Sequence, residues 1–423
     1  MPAILPARRR PLSSPCAWLL ALGLSAAAPL AARAATDAAA SPVAAAAITT
    51  PTTPAATPAS AVAAAAITTP MTPAATPASA VPPAPNASAS PAPRPGGAAA
   101  APARDDPSGR HGAMGIGFEG LSYPYPVHFL ALRNEGQDVR MAYMDVPPAP
   151  VNGGEPGAGG RTIVLLHGKN FGGAYWENVI RHLAARGYRV IVPDQIGFGK
   201  SSKPELAYSF DLLARNTIAL LDALQIAHAD VLGHSTGGML AMRITLDYPA
   251  RVDRLLLEDP IGLEDYRRLE TPQTTETLYR AQLDMTPDAY RLYVKGYFAH
   301  WSERFEAPLV APYLGAMQSG EYPRLAKTSA LTSQMIFQQP LVDELPDIAV
   351  PTLLIVGEKD RTAPGKAYAR PDMKDRLGNF PMLGRAAARA IPHCRLVVIP
   401  DVGHIAHWEA PSAFFSAVDD FLF

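Results

Sequence analysis

Six short runs built almost wholly from apolar residues constrain this chain more than any other feature. They are TIVLLHG, RVIVPD, ADVLG, VDRLLLED, VPTLLIVG and CRLVVIP, all between residues 162 and 400. Such a run has no polar face to offer water, so it must be covered on both sides, as strands of a parallel sheet are. Amphipathic stretches separate most of them. AYWENVIRHLAARGY has helical periodicity and stops at Gly187, and SFDLLARNTIALLDALQI opens on Ser209, a capping residue. GGMLAMRITLDYP and the closing SAFFSAVDDFLF also read as helices. Strand–helix alternation at this spacing predicts a mostly parallel, doubly wound α/β sheet. VHFLALRN and VRMAYMDV precede it and read as a β-hairpin around EGQD. The alternation breaks between about 262 and 345, where helix-like patterns such as TLYRAQLDM and DAYRLYVKGYFAHW replace strands. One sheet domain with a helical insertion accounts for this better than two successive domains.

The first 112 residues are of another kind. Arg8, Arg9 and Arg10 precede an apolar run from Ala17 to about Ala32, followed by ARA, which is the pattern of a secretory signal cut after Ala34 or Ala35. The run is short, contains Pro29 and lacks a stop-transfer pattern, so a retained anchor is disfavoured. VAAAAITTPTTPAATPASA then recurs almost unchanged as VAAAAITTPMTPAATPASA, starting at Val43 and Val62. Few bulky side chains and many prolines cannot offset the entropy of ordering, so residues 36–112 are expected to be a disordered Ala/Pro/Thr-rich linker. The expected organisation is signal 1–35, linker 36–112, core 113–261, helical lid 262–345 and core 346–423. With 37 basic and 38 acidic side chains and no basic block after the N-terminus, nothing points to nucleic acid. Signal removal would take Cys16 and leave Cys394 alone, so no internal disulfide is expected; Cys394 reads as a buried structural thiol.

The chemistry is concentrated at the ends of the apolar runs. Gly233-His234-Ser235-Thr236-Gly237 lies between a predicted strand and a predicted helix. A sharp strand-to-helix turn needs glycines two positions either side of the serine; it lifts the hydroxyl above the sheet and points helix N–H groups at developing negative charge. Asp360 follows one later strand and His404 the next. Parallel strands end at one edge, so Ser235, Asp360 and His404 can converge there. LLHGKNFGG ends an earlier strand at that edge and can supply an oxyanion donor. Asp259, after the VDRLLLE run, is an alternative acid. His407 stands three residues from His404, a spacing seen in metal sites, but no third ligand appears and no metal is expected. IGFGKSS fails as a phosphate loop because Asp194 stands where that motif needs glycine.

Five ordered segments carry a resemblance: His167-Gly168, Asp194 to Ser201 as D-x-x-G-x-G-x-S, Gly233 to Gly238 as G-x-S-x-G-G, Gly357 to Asp360, and Gly403 to Pro411 as G-H-x-x-x-x-E-x-P. From about 116 to 423 the chain resembles the α/β-hydrolase superfamily, in its lidded esterase and meta-cleavage hydrolase group. The resemblance implies the α/β-hydrolase fold with a helical lid. It implies Ser235 as nucleophile, His404 as base, Asp360 as the acid that holds the imidazole, and the backbone N–H of Thr236 and Lys169, or else Asn170, as oxyanion hole. His167 would pack near that loop. His234, Asn170 and Trp301 are candidates for substrate contact, with a packing role as the equal alternative for His234, while most aromatics of the insertion (Tyr279, Tyr290, Tyr293, Tyr297, Phe298) would form its own core. A serine at the elbow argues against the related haloalkane dehalogenases and epoxide hydrolases, which use an aspartate there.

The expected activity is that of an exported, cofactor-free serine hydrolase acting on small, hydrophobic carboxylic esters. It would be periplasmic or secreted, without stable membrane insertion after signal cleavage. The alternatives are carbon–carbon bond hydrolysis of a ring-cleavage product, for which export is unusual, a cofactor-free perhydrolase, and a non-catalytic small-molecule-binding protein on the same scaffold.

Overall fold

The computed structural model describes residues 114–149 and 160–423. The signal segment and the repeat linker lie outside the described residues. Eight strands form one sheet: β1 (Val127–Asn134), β2 (Gln137–Val146), β3 (Thr162–Leu166), β4 (Arg189–Pro193), β5 (Ala229–His234), β6 (Val252–Glu258), β7 (Thr352–Gly357) and β8 (Cys394–Ile399). Their order is β1-β2-β4-β3-β5-β6-β7-β8, antiparallel through β1, β2 and β4 and parallel from β4 to β8. The α/β-hydrolase fold expected from the sequence is thus present. The hairpin is tighter than EGQD: Gln137 and Asp138 already pair with Asn134 and Arg133, and the turn is Glu135-Gly136, both at positive φ (48° and 78°). That geometry suits the right-handed twist of two adjacent strands.

The apolar runs are buried because successive residues serve opposite faces. Ile163, Leu165, Val190 and Val192 join one core with α1 (Glu177–Ala184) and α11 (Pro411–Leu422). Val164, Leu166, Ile191 and Val231 join the other with α2 (Phe210–Ala223), α3 (Thr236–Asp247) and α9 (Phe380–Ala390). Ser209 caps α2: its hydroxyl accepts from Leu212 N at 3.0 Å. β8 is an edge strand, so Cys394 on it is half-buried rather than sealed, and burial pushes its thiol up to about 11.

Between β6 and β7 the chain forms α4 (Tyr266–Leu269), α5 (Thr275–Leu283), α6 (Pro287–Lys295), α7 (Ala311–Met317) and α8 (Tyr322–Gln338). A π-helical turn, Glu306–Val310, leads into α7, where Pro308 and Pro312 interrupt regular α bonding. α10 (Ala406–Glu409) follows β8. No helix among the described residues is long and apolar enough to cross a membrane. The strand order reverses between β3 and β5. A crevice opens at such a point, above the carboxyl ends of the strands, and both the β3 loop and Ser235 lie there.

Candidate active site

Ser235 sits on the turn from β5 into α3 with φ 55° and ψ −116°, a conformation that non-glycine residues rarely hold. Such strain costs about 1–3 kcal/mol and persists only where surrounding structure imposes it. Here Ser235 N donates to the Glu258 carbonyl at 3.1 Å, while the Ser235 carbonyl accepts from Gly238, Met239 and Ile261 N–H groups. The flanking glycines are demanded by contact: a Cβ on Gly233 would overlap the Gly237 carbonyl, and one on Gly237 would overlap the Leu166 carbonyl of β3. The turn brings α3 against β3, which places the loop after β3 next to the serine. A Cβ on Gly168 would stand 3.4 Å from Ser235 Cβ.

The loops after β7 and β8 bring the other two residues together. His404 Nδ1 lies 2.7 Å from Asp360 Oδ2, both buried. The second carboxylate oxygen, Asp360 Oδ1, accepts from Thr362 N at 2.8 Å. The lid reaches this loop directly: His404 N donates to the Tyr297 carbonyl at 2.6 Å, and the Tyr297 ring lies 5.2 Å from the imidazole. Among the described residues Ser235 Oγ has no hydrogen-bond partner within 3.5 Å, so serine and imidazole are not joined in this structure. Asp259 adjoins the pair. One ligand atom from each of Asp259, Asp360 and His404 lies within 4.8 Å of the others. The 2.7 Å His404–Asp360 separation is hydrogen-bonding distance, shorter than the roughly 3.3 Å between two ligands on a tetrahedral zinc.

The loop after β3 has free donors. The N–H groups of Lys169 and Thr236 donate to no other group among the described residues, whereas Gly168 N is taken by the Tyr175 hydroxyl at 3.0 Å. The Lys169 side chain was not legible from the motif. It runs up to α8, where Nζ donates to Ser329 O, Ser329 Oγ and Thr332 Oγ1 at 2.9–3.3 Å. Burial without an acidic partner lowers its amine to about 7. Asn170 is at φ 70°. Lys169, Asn170 and Phe171 line a small, partly open pocket with Phe118, Tyr313 and Ser329. Asn170 and Phe171 also border a second, reaching Tyr123 and Pro312. Neither is lined by Ser235 or His404.

Two candidates for substrate contact are placed elsewhere. His234 is fully buried: Nε2 lies 2.9 Å from the His404 carbonyl and Nδ1 3.0 Å from the Tyr175 hydroxyl. Burial, then the charges of His404 and His407, hold it well below the usual histidine range, which keeps it neutral. It is enclosed there by Tyr175 and the loop that carries His404. Trp301 lies at the rim of the lid, its indole N–H on Glu303 and its ring against Phe298 and Phe305. The spacing of His407 from His404 serves structure instead. His407 Nδ1 and N bind the buried Glu258 carboxylate at 2.8–2.9 Å, the residue whose carbonyl also holds Ser235 N. His167 packs beneath the loop, accepting from Gln195 N at 3.0 Å. Asp194 was legible only as a motif position. It accepts from Gly173 N, Lys200 N and the Tyr123 hydroxyl, so it ties three segments around the crevice.

Known proteins are similar to this chain. The chain is 29% identical over 301 residues to a 2-hydroxy-6-oxononadienedioate/2-hydroxy-6-oxononatrienedioate hydrolase of Escherichia coli, covering 70% of this chain and 94% of that one. It is 46% identical to a probable hydrolytic enzyme of Pseudomonas aeruginosa PAO1, with a TM-score of 0.70, covering 74% of this chain and 99% of that one. It is 27% identical to Est816, an N-acyl homoserine lactone degrading enzyme, with a TM-score of 0.51 and coverage of 69% and 100%. The alpha/beta hydrolase fold family matches residues 161–411, more than half of the chain, and the protein belongs to that family of hydrolases.

Proposed function

We propose that the protein is an exported serine hydrolase of small, hydrophobic carboxylic esters, lactones included, working through an acyl-enzyme. The observation that carries this reading is the buried His404–Asp360 pair, 2.7 Å apart, at the sheet edge where the elbow lifts Ser235. Ser235 Oγ attacks the ester carbonyl and its proton passes to His404 Nε2. Asp360 holds Nδ1–H and stabilises the imidazolium. The oxyanion sits against the free N–H groups of Lys169 and Thr236 at the start of α3, each worth roughly 10²–10³ in rate. His404 returns the proton to the leaving alcohol, then activates water to release the acid. The Ser235–His404 hydrogen bond forms on substrate binding, since catalytic hydrogen bonds often tighten only in the Michaelis complex. The apolar walls of the adjoining cavities, Phe118, Phe171 and Leu325, favour a hydrophobic acyl group. Export rests on the Arg8–Arg10 segment and the apolar run after it. Mass spectrometry of the mature protein is expected to find its N-terminus at residue 35 or 36.

The test is turnover of p-nitrophenyl esters by purified protein and by Ser235→Ala. Loss of activity in the variant is expected; unchanged activity would remove the proposal. A second reading, carbon–carbon hydrolysis of a vinylogous 1,5-diketone, is favoured by the 29% identity to the Escherichia coli hydrolase. Assaying such a diketone beside an ester separates the two by the ratio of their kcat/KM values.

A further inference from the structure

Two carboxyl groups, not one, stand at the acid position. β6 and β7 are neighbours, paired Leu255–Thr352 through Glu258–Ile355, so the residues that follow them leave the sheet side by side. Asp259 N donates to the Ile355 carbonyl at 2.9 Å, and Asp259 Oδ1 accepts from Gly357 N at 2.9 Å. That pins the Asp259 side chain under the loop that carries Asp360. Its φ of 39° is a further mark of an imposed conformation. Asp259 Oδ2 is buried and meets no donor among the described residues. Asp360 has both oxygens engaged, by Thr362 N and His404 Nδ1.

The charged and titratable groups around Asp259 are Asp360, Glu258 and His404, with Lys366 facing Asp360 from beyond. Glu258 is committed to His407 and Lys366 donates to the Arg361 carbonyl, so among the described residues no Lys or Arg sits against Asp259. Two carboxylates this close in a dry site cannot both ionise. Asp360 has the better claim to the charge, because it holds the imidazole. Burial, and after it the Asp360 charge, pushes Asp259 well above the ordinary carboxyl range.

We propose that Asp259 is a positioning residue for the acid: it carries a proton on Oδ2 and donates a hydrogen bond to Asp360. The pair then bears one negative charge, and Asp360 is held from a third side. This deepens the triad reading and rests on it.

The test is direct observation of the proton. In full-length protein labelled with ¹³C at aspartate carboxyls, one resonance is expected to stay in the protonated range at a mildly alkaline pH, where ordinary carboxyls have ionised. It should vanish in Asp259→Asn. Asp230, lifted by burial to only about 6, is ionised at that pH. Asp259→Asn keeps a neutral donor, so the acid limb of the kcat/KM profile stays in place. Asp259→Leu removes the donor, leaves Asp360 more basic and raises that limb, with kcat falling about tenfold at unchanged KM. The proposal is overturned if every aspartate is ionised in the unmodified protein, or if Asp259→Asn lowers the acid limb as loss of a charge must. The spectrum needs no variant, so a misfolded substitution leaves the decision intact. Ser235→Ala, run in parallel, reports on the triad separately: if it stays active the triad reading fails, while the resonance still decides the carboxyl pair.

Discussion

Replacing Asp360 by Asn tests whether the 2.7 Å pair sets the histidine tautomer. The substitution keeps the volume, so geometry decides the outcome. Asp360 Oδ1 accepts from Thr362 N at 2.8 Å and Oδ2 faces His404 Nδ1. The amide oxygen of an Asn must therefore face Thr362, and its NH₂ must face Nδ1. That turns Nδ1 into an acceptor and moves the ring proton to Nε2, where it blocks uptake of the serine proton. Flipping the amide restores the tautomer but sets NH₂ against the Thr362 N–H, a buried donor–donor contact costing about 1–3 kcal/mol. The flipped form is then roughly one molecule in six to one in 160. It still lacks the carboxylate charge. A charged hydrogen bond exceeds a neutral one by about 1–1.5 kcal/mol, a further factor of roughly 5–13. The product is a loss of roughly 30- to 2,000-fold, approaching the ~10⁴ that serine-triad proteases lose on this change. The assay is kcat/KM on a p-nitrophenyl ester, with ¹⁵N-histidine NMR to read the tautomer. A loss under about tenfold, or a proton still on Nδ1 in most molecules, would refute the reasoning. Residual activity that disappears in the Asp259→Asn/Asp360→Asn double variant would show Asp259 taking over as the acid.

Other substitutions test the frame that holds the site. Gly237→Ala sets a methyl into the Leu166 carbonyl and must push α3 off β3; a loss of at least about 3 kcal/mol by urea unfolding is expected, with activity lost alongside. Ser209→Ala removes the cap on α2 and should cost about 1 kcal/mol in the same measurement, with activity unchanged. Glu270 is buried beside Glu264, and burial, then the Glu264 charge, raises it to about 8. Its raised value means the folded state holds a proton that the unfolded state releases. Its stabilising contribution is complete below about pH 4.5 and lost as pH rises through about 8. Calorimetric Tm is expected to fall across that window, and less steeply in Glu270→Gln. Some slope should remain because burial lifts Glu264 to about 7 as well. Equal slopes in the two proteins would contradict this.

What could be read from the sequence was what depends on neighbours along the chain. β3 to β7 were legible because a strand covered on both faces must be apolar throughout, and Ser209 because a cap acts three residues ahead. The elbow was legible because the glycines at 233 and 237 answer a collision within one turn. What was hidden depends on which strands lie side by side. His234 read equally as a pocket or a packing residue from its place beside Ser235; Tyr175 and the His404 loop, both distant in sequence, enclose it. Lys169 entered as a backbone donor; its ammonium is held by Ser329 and Thr332, 160 and more residues away on α8. Asp259 and Asp360 looked like rivals for one role. Because β6 pairs with β7, both arrive at the same place, and low dielectric forces them to share a charge instead of competing for it. Sequence spacing can therefore name the groups that reach the sheet edge, while the division of protons among them is decided by strand order.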